Sequence, residues 1–85
     1  MEIRFARQFK KHYKKSPSAI RKSFDERLEI FLSDPDNAIL KNHPLKGDLS
    51  GNFTINIAGD WRAVYAVDGG VIVFVALGTH SQLYG

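Results

Sequence analysis

The chain runs on two hydrophobic periods, and the change between them comes past its midpoint. Phe5, Phe9 and Tyr13 recur every fourth residue, and so do Ile20, Phe24 and Leu28, with Phe31 and Leu32 extending the second set. At 100° per residue each set lies along one face of a helix. Ahead of them Glu2–Phe5 alternates polar and apolar, in the manner of a short strand. From Phe53 the period is two: Phe53, Ile55 and Ile57 share one side of a strand, and Thr54 and Asn56 the other. Residues 61–67 form the next strand, and residues 71–77 are a continuous apolar run that suits a central position.

Breaks in these patterns supply the connections. Ser16-Pro17 is a helix-start signal, with serine to cap and proline at the first helical position. Ser33-Asp34-Pro35 ends the second helix. Residues 36–52 are mostly loop, with one helical turn around 38–40 and punctuation at Pro44, Gly47 and Gly51. Ala58-Gly59-Asp60 and Asp68-Gly69-Gly70 are turns, which makes two hairpins of the last three strands. The predicted fold class is α+β: an N-terminal α-helical hairpin packed on one face of a small antiparallel β-sheet, in the order β-α-α-β-β-β, forming one domain over residues 1–85.

Matching apolar faces sets the strand register. It places Ile57 opposite Trp61, Ile55 opposite Ala63 and Phe53 opposite Tyr65. Asn56 then faces Arg62 on the side away from the helices. Continued through the second hairpin, the count puts Gly78 opposite Asp60, with His80 one step beyond on the face of Arg62. Arg62, Asp60 and His80 would thus surround one substrate group. Val64, Ile72, Phe74 and Ala76 fall on that same face, an apolar patch that calls for a partner or for the C-terminal tail to fold over it.

Composition narrows this further. Within 85 residues there is no cysteine, so neither disulfides nor thiolate metal sites contribute. A chain of this length buries only about 60% of its unfolded surface, so its core must be economical. The net charge of +3 is unevenly spread. Arg4, Arg7, Lys10, Lys11, Lys14, Lys15, Arg21 and Lys22 precede the run of acids that starts at Asp25, with no acid among them. Arg7, Lys10, Lys11 and Lys14 form a stripe opposite the aromatic face of the first helix. That stripe fits a polyanion, and equally a solvated surface. The charged N-terminus lacks the apolar core of a leader, and no apolar run approaches the roughly 20 residues of a spanning helix. The expected setting is cytoplasmic, without a membrane partner.

HPLKG at 43–47, GDWR at 59–62 and GTHSQLYG at 78–85, following two helices and a hairpin sheet, resemble the RelE/ParE superfamily of toxins. Within it the chain is most similar to the YafQ-like and RelE-like mRNA interferases of type II toxin–antitoxin systems. The resemblance spans essentially the whole chain. It implies a toxin that enters the ribosome and cuts mRNA, with a cognate antitoxin as inhibitor and a toxin–antitoxin complex that is hetero-oligomeric and binds DNA through the antitoxin. Carried over by motif, His43, Asp60, Trp61, His80 and Tyr84 match active-site positions, and Arg62 matches the arginine at the scissile phosphate. YafQ-like members commonly carry histidine where this chain has Asn56, so one proton-transfer group is missing.

The residue types suit metal-independent RNA cleavage by the substrate's own 2′-OH. That reaction needs a base, an acid for the departing 5′-oxygen, and cations for the charge gained at phosphorus. Histidine titrates near neutrality and serves as acid or base, while arginine grips two phosphate oxygens. His80 is the expected acid, and His43 or Asp60 the base or an orienting group. Arg62 with Lys46 would stabilise charge, and Tyr84 would stack on a base or donate a hydrogen bond. Lys10, Lys11, Lys14 and Lys15 would hold ribosomal RNA. The resemblance would also give Trp61 an RNA contact, although in this register its side chain faces the core. His12 carries no motif and is expected to be structural. No cofactor is expected, and His43, Asp60 and His80 lack the tight spacing of a metal site. The rival functions are a ParE-like inhibitor of DNA gyrase, which needs no acid–base set, and an inactive homologue that only pairs with an antitoxin.

Overall fold

A computed structural model describes all of residues 1–85. Its elements are β1 (Glu2–Phe5), α1 (Arg7–Lys15), α2 (Ser18–Ser33), β2 (His43–Pro44), β3 (Asn52–Ala58), β4 (Trp61–Asp68), β5 (Val71–Thr79) and α3 (His80–Tyr84), with 3₁₀ turns at Ala38–Leu40 and Gly47–Leu49. The strands lie in the order β1-β5-β4-β3-β2. This is α+β as expected, with three corrections. The strand expected at Glu2–Phe5 does form and precedes the helical pair, so the helical hairpin is not itself N-terminal. The sheet is mixed, because β1 runs parallel to β5 while the other pairs are antiparallel. It also gains β2, a two-residue edge strand, and α3, neither of which hydrophobic period could reveal in segments so short.

The helices form where the four-residue repeats placed them, but their junction differs from expectation. The Ser16 hydroxyl does not cap α2; it donates back to the His12 carbonyl at 2.7 Å and closes α1. The Pro17 carbonyl accepts from the N–H groups of Ile20 and Arg21, so proline itself is the cap residue. At the far end the Asp34 N–H bonds the Ile30 carbonyl, and Pro35 prevents a further turn.

Both helices and the sheet meet in an aromatic core. Phe24, Phe31 and Phe74 are its largest fully buried side chains. Phe24 stands edge-on to Phe74 at 5.4 Å and 88°, Phe9 lies 5.0 Å from Phe24, and Phe31 meets Tyr65 edge-on at 5.1 Å. Such pairs contribute about 0.5–1.5 kcal/mol each beyond area burial. The core's tyrosines keep their hydroxyls satisfied: Tyr13 donates to Asp25 at 2.9 Å and Tyr65 to Asn42 at 2.8 Å. Both phenols are held above the ordinary tyrosine value. Burial is the leading cause in each, reinforced at Tyr13 by the Asp25 carboxylate and opposed at Tyr65 by the Asn42 bond.

Two bulges revise the register. Phe53, Ile55 and Asn56 face Tyr65, Ala63 and Arg62 as expected, but an irregularity then sets Ala58, rather than Ile57, opposite Trp61. In β5 the pairing steps from Tyr65↔Phe74 to Val64↔Ala76, so Val75 is an extra residue. Together with a hairpin one residue tighter than expected, which pairs Asp68 with Val71, this sets Gly78 opposite Arg62, not Asp60. The tighter hairpin, with Asp68 rather than Val67 opposite Val71, overturns the placement of Ile72 and Phe74 on the open face: they pair with Val67 and Tyr65, and both pack with the helix-side core. Strict alternation cannot point two residues three apart the same way. With Val75 inserted, Phe74 and Leu77 both reach the core. Val64, Ala76 and Thr54 on the other face are buried as well. There the chain's own α3 supplies the cover, which answers the question of the apolar patch for this conformation.

Candidate functional site

Arg62 is where polar chemistry begins on the α3 side of the sheet. Its Nη1 donates to Asn56 Oδ1 at 2.6 Å, to the Gly59 carbonyl at 2.8 Å and to the Trp61 carbonyl at 3.0 Å. Nε and Nη2 make no hydrogen bond within the protein, so one edge of the guanidinium is anchored and the other left for a ligand. Asn56, across the ladder on β3, is the only side chain among these anchors. Its place there follows from strand alternation, which sets Asn56 and Arg62 on one face.

His80 owes its position to a capping box. The Thr79 hydroxyl accepts the Gln82 N–H at 3.3 Å, while Gln82 Oε1 accepts the Thr79 N–H at 2.9 Å. Gly78 permits the fold-back: a Cβ there would lie 3.0 Å from Gln82 Oε1 and 3.4 Å from Gln82 Cβ. The first N–H of α3, that of His80, donates to the Asp60 carbonyl at 2.9 Å, so the β3–β4 turn holds the start of the helix. One turn on, the Tyr84 ring meets the His80 imidazole edge-on at 4.8 Å. The Tyr84 hydroxyl donates to Thr54 Oγ1 at 3.2 Å.

His43 comes from the opposite wall, on β2, paired with Thr54. Its Nδ1 lies 2.7 Å from the Lys41 carbonyl. A carbonyl can only accept, so Nδ1 carries the hydrogen, and in the neutral ring Nε2 keeps its lone pair. Lys41 itself adopts a left-handed φ of 48°, which turns the chain into β2.

These groups converge. His43, Lys46, Arg62, His80 and Tyr84 line one open cleft of about 490 Å³, and Leu45, Leu49 and Thr54 complete its walls. Two cations and two imidazoles face the space, and no carboxylate does. Five of the six residues expected to act on substrate from the cleft are therefore brought together. Asp60 is the exception: it is exposed in the β3–β4 turn and serves the site through its carbonyl. Trp61 lies on the core side and lines a different pocket. Lys10, Lys11, Lys14 and Lys15 are exposed on α1, apart from the cleft. Thr54 and the anchoring use of Asn56 went unassigned in the sequence, although alternation had put both on the face of Arg62. Leu45 sits in irregular chain and Leu49 in a 3₁₀ turn, and neither carried a signal.

Comparison with known proteins agrees with this architecture. The family described as bacterial toxin of type II toxin-antitoxin system, YafQ, matches residues 1–85. The chain belongs to that family. The mRNA interferase toxin YafQ of Escherichia coli K12 is 33% identical over 51 residues, 60% of this chain and 55% of the relative, so the match spans about half that protein's length. Among solved structures, YafQ from E. coli BL21(DE3) superposes with a TM-score of 0.84 at 23% identity, covering 99% of this chain and 98% of that one. The YafQ chain matched in the E. coli DinJ-YafQ toxin-antitoxin complex gives 0.73 at 27% identity, over 99% and 97% of the two chains. A chain of the heterotetrameric YoeB-YefM complex of Staphylococcus aureus gives 0.74 at 26%, over 94% and 97%. This YafQ-family toxin thus shares its fold with toxins solved both alone and with antitoxins. No three His, Cys, Asp or Glu side chains in it assemble as a metal-binding group, and no helix is long and apolar enough to cross a membrane.

Proposed function

We propose that this toxin is a ribosome-dependent endoribonuclease that cuts mRNA through attack of the substrate's 2′-OH, without a metal. One observation carries the reading: His43 and His80, far apart in sequence, line the same cleft as Arg62 and Lys46. His43 is the base, since its Nδ1–H is engaged by the Lys41 carbonyl and its Nε2 is open to accept the 2′-OH proton. The 2′-oxygen forms a bond to phosphorus as the bond to the 5′-oxygen breaks. His80, as imidazolium, delivers a proton to that leaving oxygen. The products are a 2′,3′-cyclic phosphate and a 5′-hydroxyl. Arg62, with Nε and Nη2 available, and Lys46 take up the charge gained at phosphorus. Tyr84 orients the His80 ring and supports a nucleobase. Asp60 acts through its carbonyl, as an orienting residue rather than a base.

Lys10, Lys11, Lys14 and Lys15 bind ribosomal RNA phosphates in this scheme, and the salt sensitivity of ribosome association would report it. A cognate antitoxin occludes the toxin and carries the DNA-binding function of the hetero-oligomer, in line with the antitoxin complexes of its relatives. The setting is the cytoplasm, where translating ribosomes are. Asn56, the residue that favoured an inactive homologue, supports an active one instead by anchoring Arg62. Cleavage of mRNA on programmed ribosomes by purified toxin tests the assignment. His80→Ala should slow cutting by about 10²-fold or more. A wild-type rate in that variant would remove His80 from the mechanism.

A further inference from the structure

A second pocket, of about 260 Å³, lies on the other side of α3 from the cleft. Gln82 and Leu83 of α3 line it, together with His12, Lys15, Ser16, Trp61 and Leu77. The two spaces flank one helical turn: His80 and Tyr84 face the first, Gln82 and Leu83 the second. Trp61 and Arg62 divide the start of β4 in the same way.

The hydrogen-bonding groups left free in this second pocket are donors, apart from the Ser16 hydroxyl oxygen. β1 pairs with β5 only through Val71–Phe74, so the β5 edge beyond it has no strand partner. The Leu77 N–H on that edge is taken instead by His12 Nδ1 at 3.1 Å. An accepting Nδ1 bears no hydrogen, which makes Nε2–H a donor. Nε2 has no partner within the protein, and neither does the Trp61 indole N–H. No buried side-chain nitrogen or oxygen lacks a partner, so both groups reach solvent. Lys15 adds an unpaired ammonium. Gln82 spends its oxygen on the Thr79 N–H and keeps its amide hydrogens free. The Ser16 hydroxyl hydrogen is engaged by the His12 carbonyl. No carboxylate lines the pocket. A concave site with four free donors, one of them a cation, suits a phosphate.

We infer that this pocket binds a backbone phosphate of RNA, distinct from the one at Arg62. The inference rests on the proposed RNA-cleaving role and deepens it. His12 has two tasks here: its Nδ1 completes the β5 edge, and its Nε2–H faces the anion.

Trp61 is the single tryptophan, so its emission reports on this pocket. In the His80→Gln protein, titration with inorganic phosphate should change that emission saturably. Lys15→Glu should weaken the apparent affinity about tenfold or more. His12→Asn is the sharper variant: its side-chain oxygen can replace Nδ1 as acceptor for Leu77, while the Nε2–H donor is gone. It should keep the native melting temperature within a few degrees and lose several-fold in phosphate affinity. Arg62→Gln should leave the emission response in place. Abolition of the response by Arg62→Gln would assign it to the cleft and overturn the inference, as would affinities unchanged in both Lys15→Glu and a folded His12→Asn. Because the readout needs no cleavage, failure of the nuclease reading would show separately, as an unaltered cutting rate in His80→Ala. The source of the phosphate is read from ribosome binding. Weaker association of Lys15→Glu with vacant ribosomes points to ribosomal RNA; weakening seen only on mRNA-loaded ribosomes points to the message.

Discussion

β4 presents different chemistry to its two sides. Trp61, Ala63 and Tyr65 join a core built of large aromatic rings, whereas Arg62 and Val64 look toward α3 and the cleft. On the helix side, Phe9, Phe24, Phe31, Phe74 and Tyr65 interlock, and stability comes from burial and ring packing. On the other side the residues are smaller or polar: Thr54, Asn56, Ala76 and Gly78. That surface leaves room for a five-residue helix and an open cleft. A short helix of this kind has little intrinsic stability, and it persists through its capping box, the Asp60–His80 backbone bond and the Tyr84–Thr54 contact. The lesson is a division of labour within single strands. Substitutions on the two faces should separate stability from activity.

The largest effect is expected in the core. Phe74→Ala should cost about 3–5 kcal/mol in urea denaturation, a large part of the stability of so small a domain. A cost below about 1 kcal/mol would mean that the aromatic face does not dominate. Next comes Arg62→Gln, which should reduce mRNA cleavage by about 10²-fold or more while changing unfolding free energy by less than about 1 kcal/mol. Arg62→Lys should not restore the rate, because an ammonium cannot supply the planar pair of donors. Equal losses of stability and activity in Arg62→Gln would collapse the distinction between the faces.

Asn56→Ala sharpens the cleft side. Arg62 Nη1 keeps its two carbonyl acceptors but loses the side-chain anchor, so cleavage should fall only about tenfold. A loss as deep as that of Arg62→Gln would assign Asn56 a direct part in the chemistry. The smallest effect concerns pH. Tyr65 is held neutral by burial, with its native pKa above the ordinary value of 10.0. The corresponding stability is complete below the unfolded value and is lost as pH rises through the raised native one. Melts taken from neutral pH to about pH 11 should therefore show an alkaline decline, shallower in Tyr65→Phe. An equal decline in both proteins would place its origin elsewhere, with Tyr13 the next candidate.

Much of this molecule was legible beforehand because its main elements are periodic. The spacing of Phe5, Phe9 and Tyr13 located α1, and alternation from Phe53 to Ile57 set Asn56 beside Arg62. The motifs marked His43, Arg62, His80 and Tyr84. What escaped was non-local. No local pattern announces that His43-Pro44 will pair with β3, since two residues have no period. The bulge at Val75 was hidden because an uninterrupted apolar run looks the same in either register. Asp60 was placed beside Arg62 by extending the alternation of β4 into residue 60, which lies in the turn ahead of the strand.

The sequence by itself determined the two long helices, the main strands and most of the aromatic core, and it supplied the histidines and arginine on which the proposed chemistry rests. Those properties follow from periodicity and residue type, which are written locally. Only the tertiary structure decided that two histidines 37 positions apart share a cleft, that α3 covers the second face of the sheet, and that His12 completes an unpaired strand edge. Each of these depends on where a bulge or a chain end falls in space. A bulge reverses the facing of every residue beyond it, and its cost is set by packing against distant elements rather than by its neighbours in the chain.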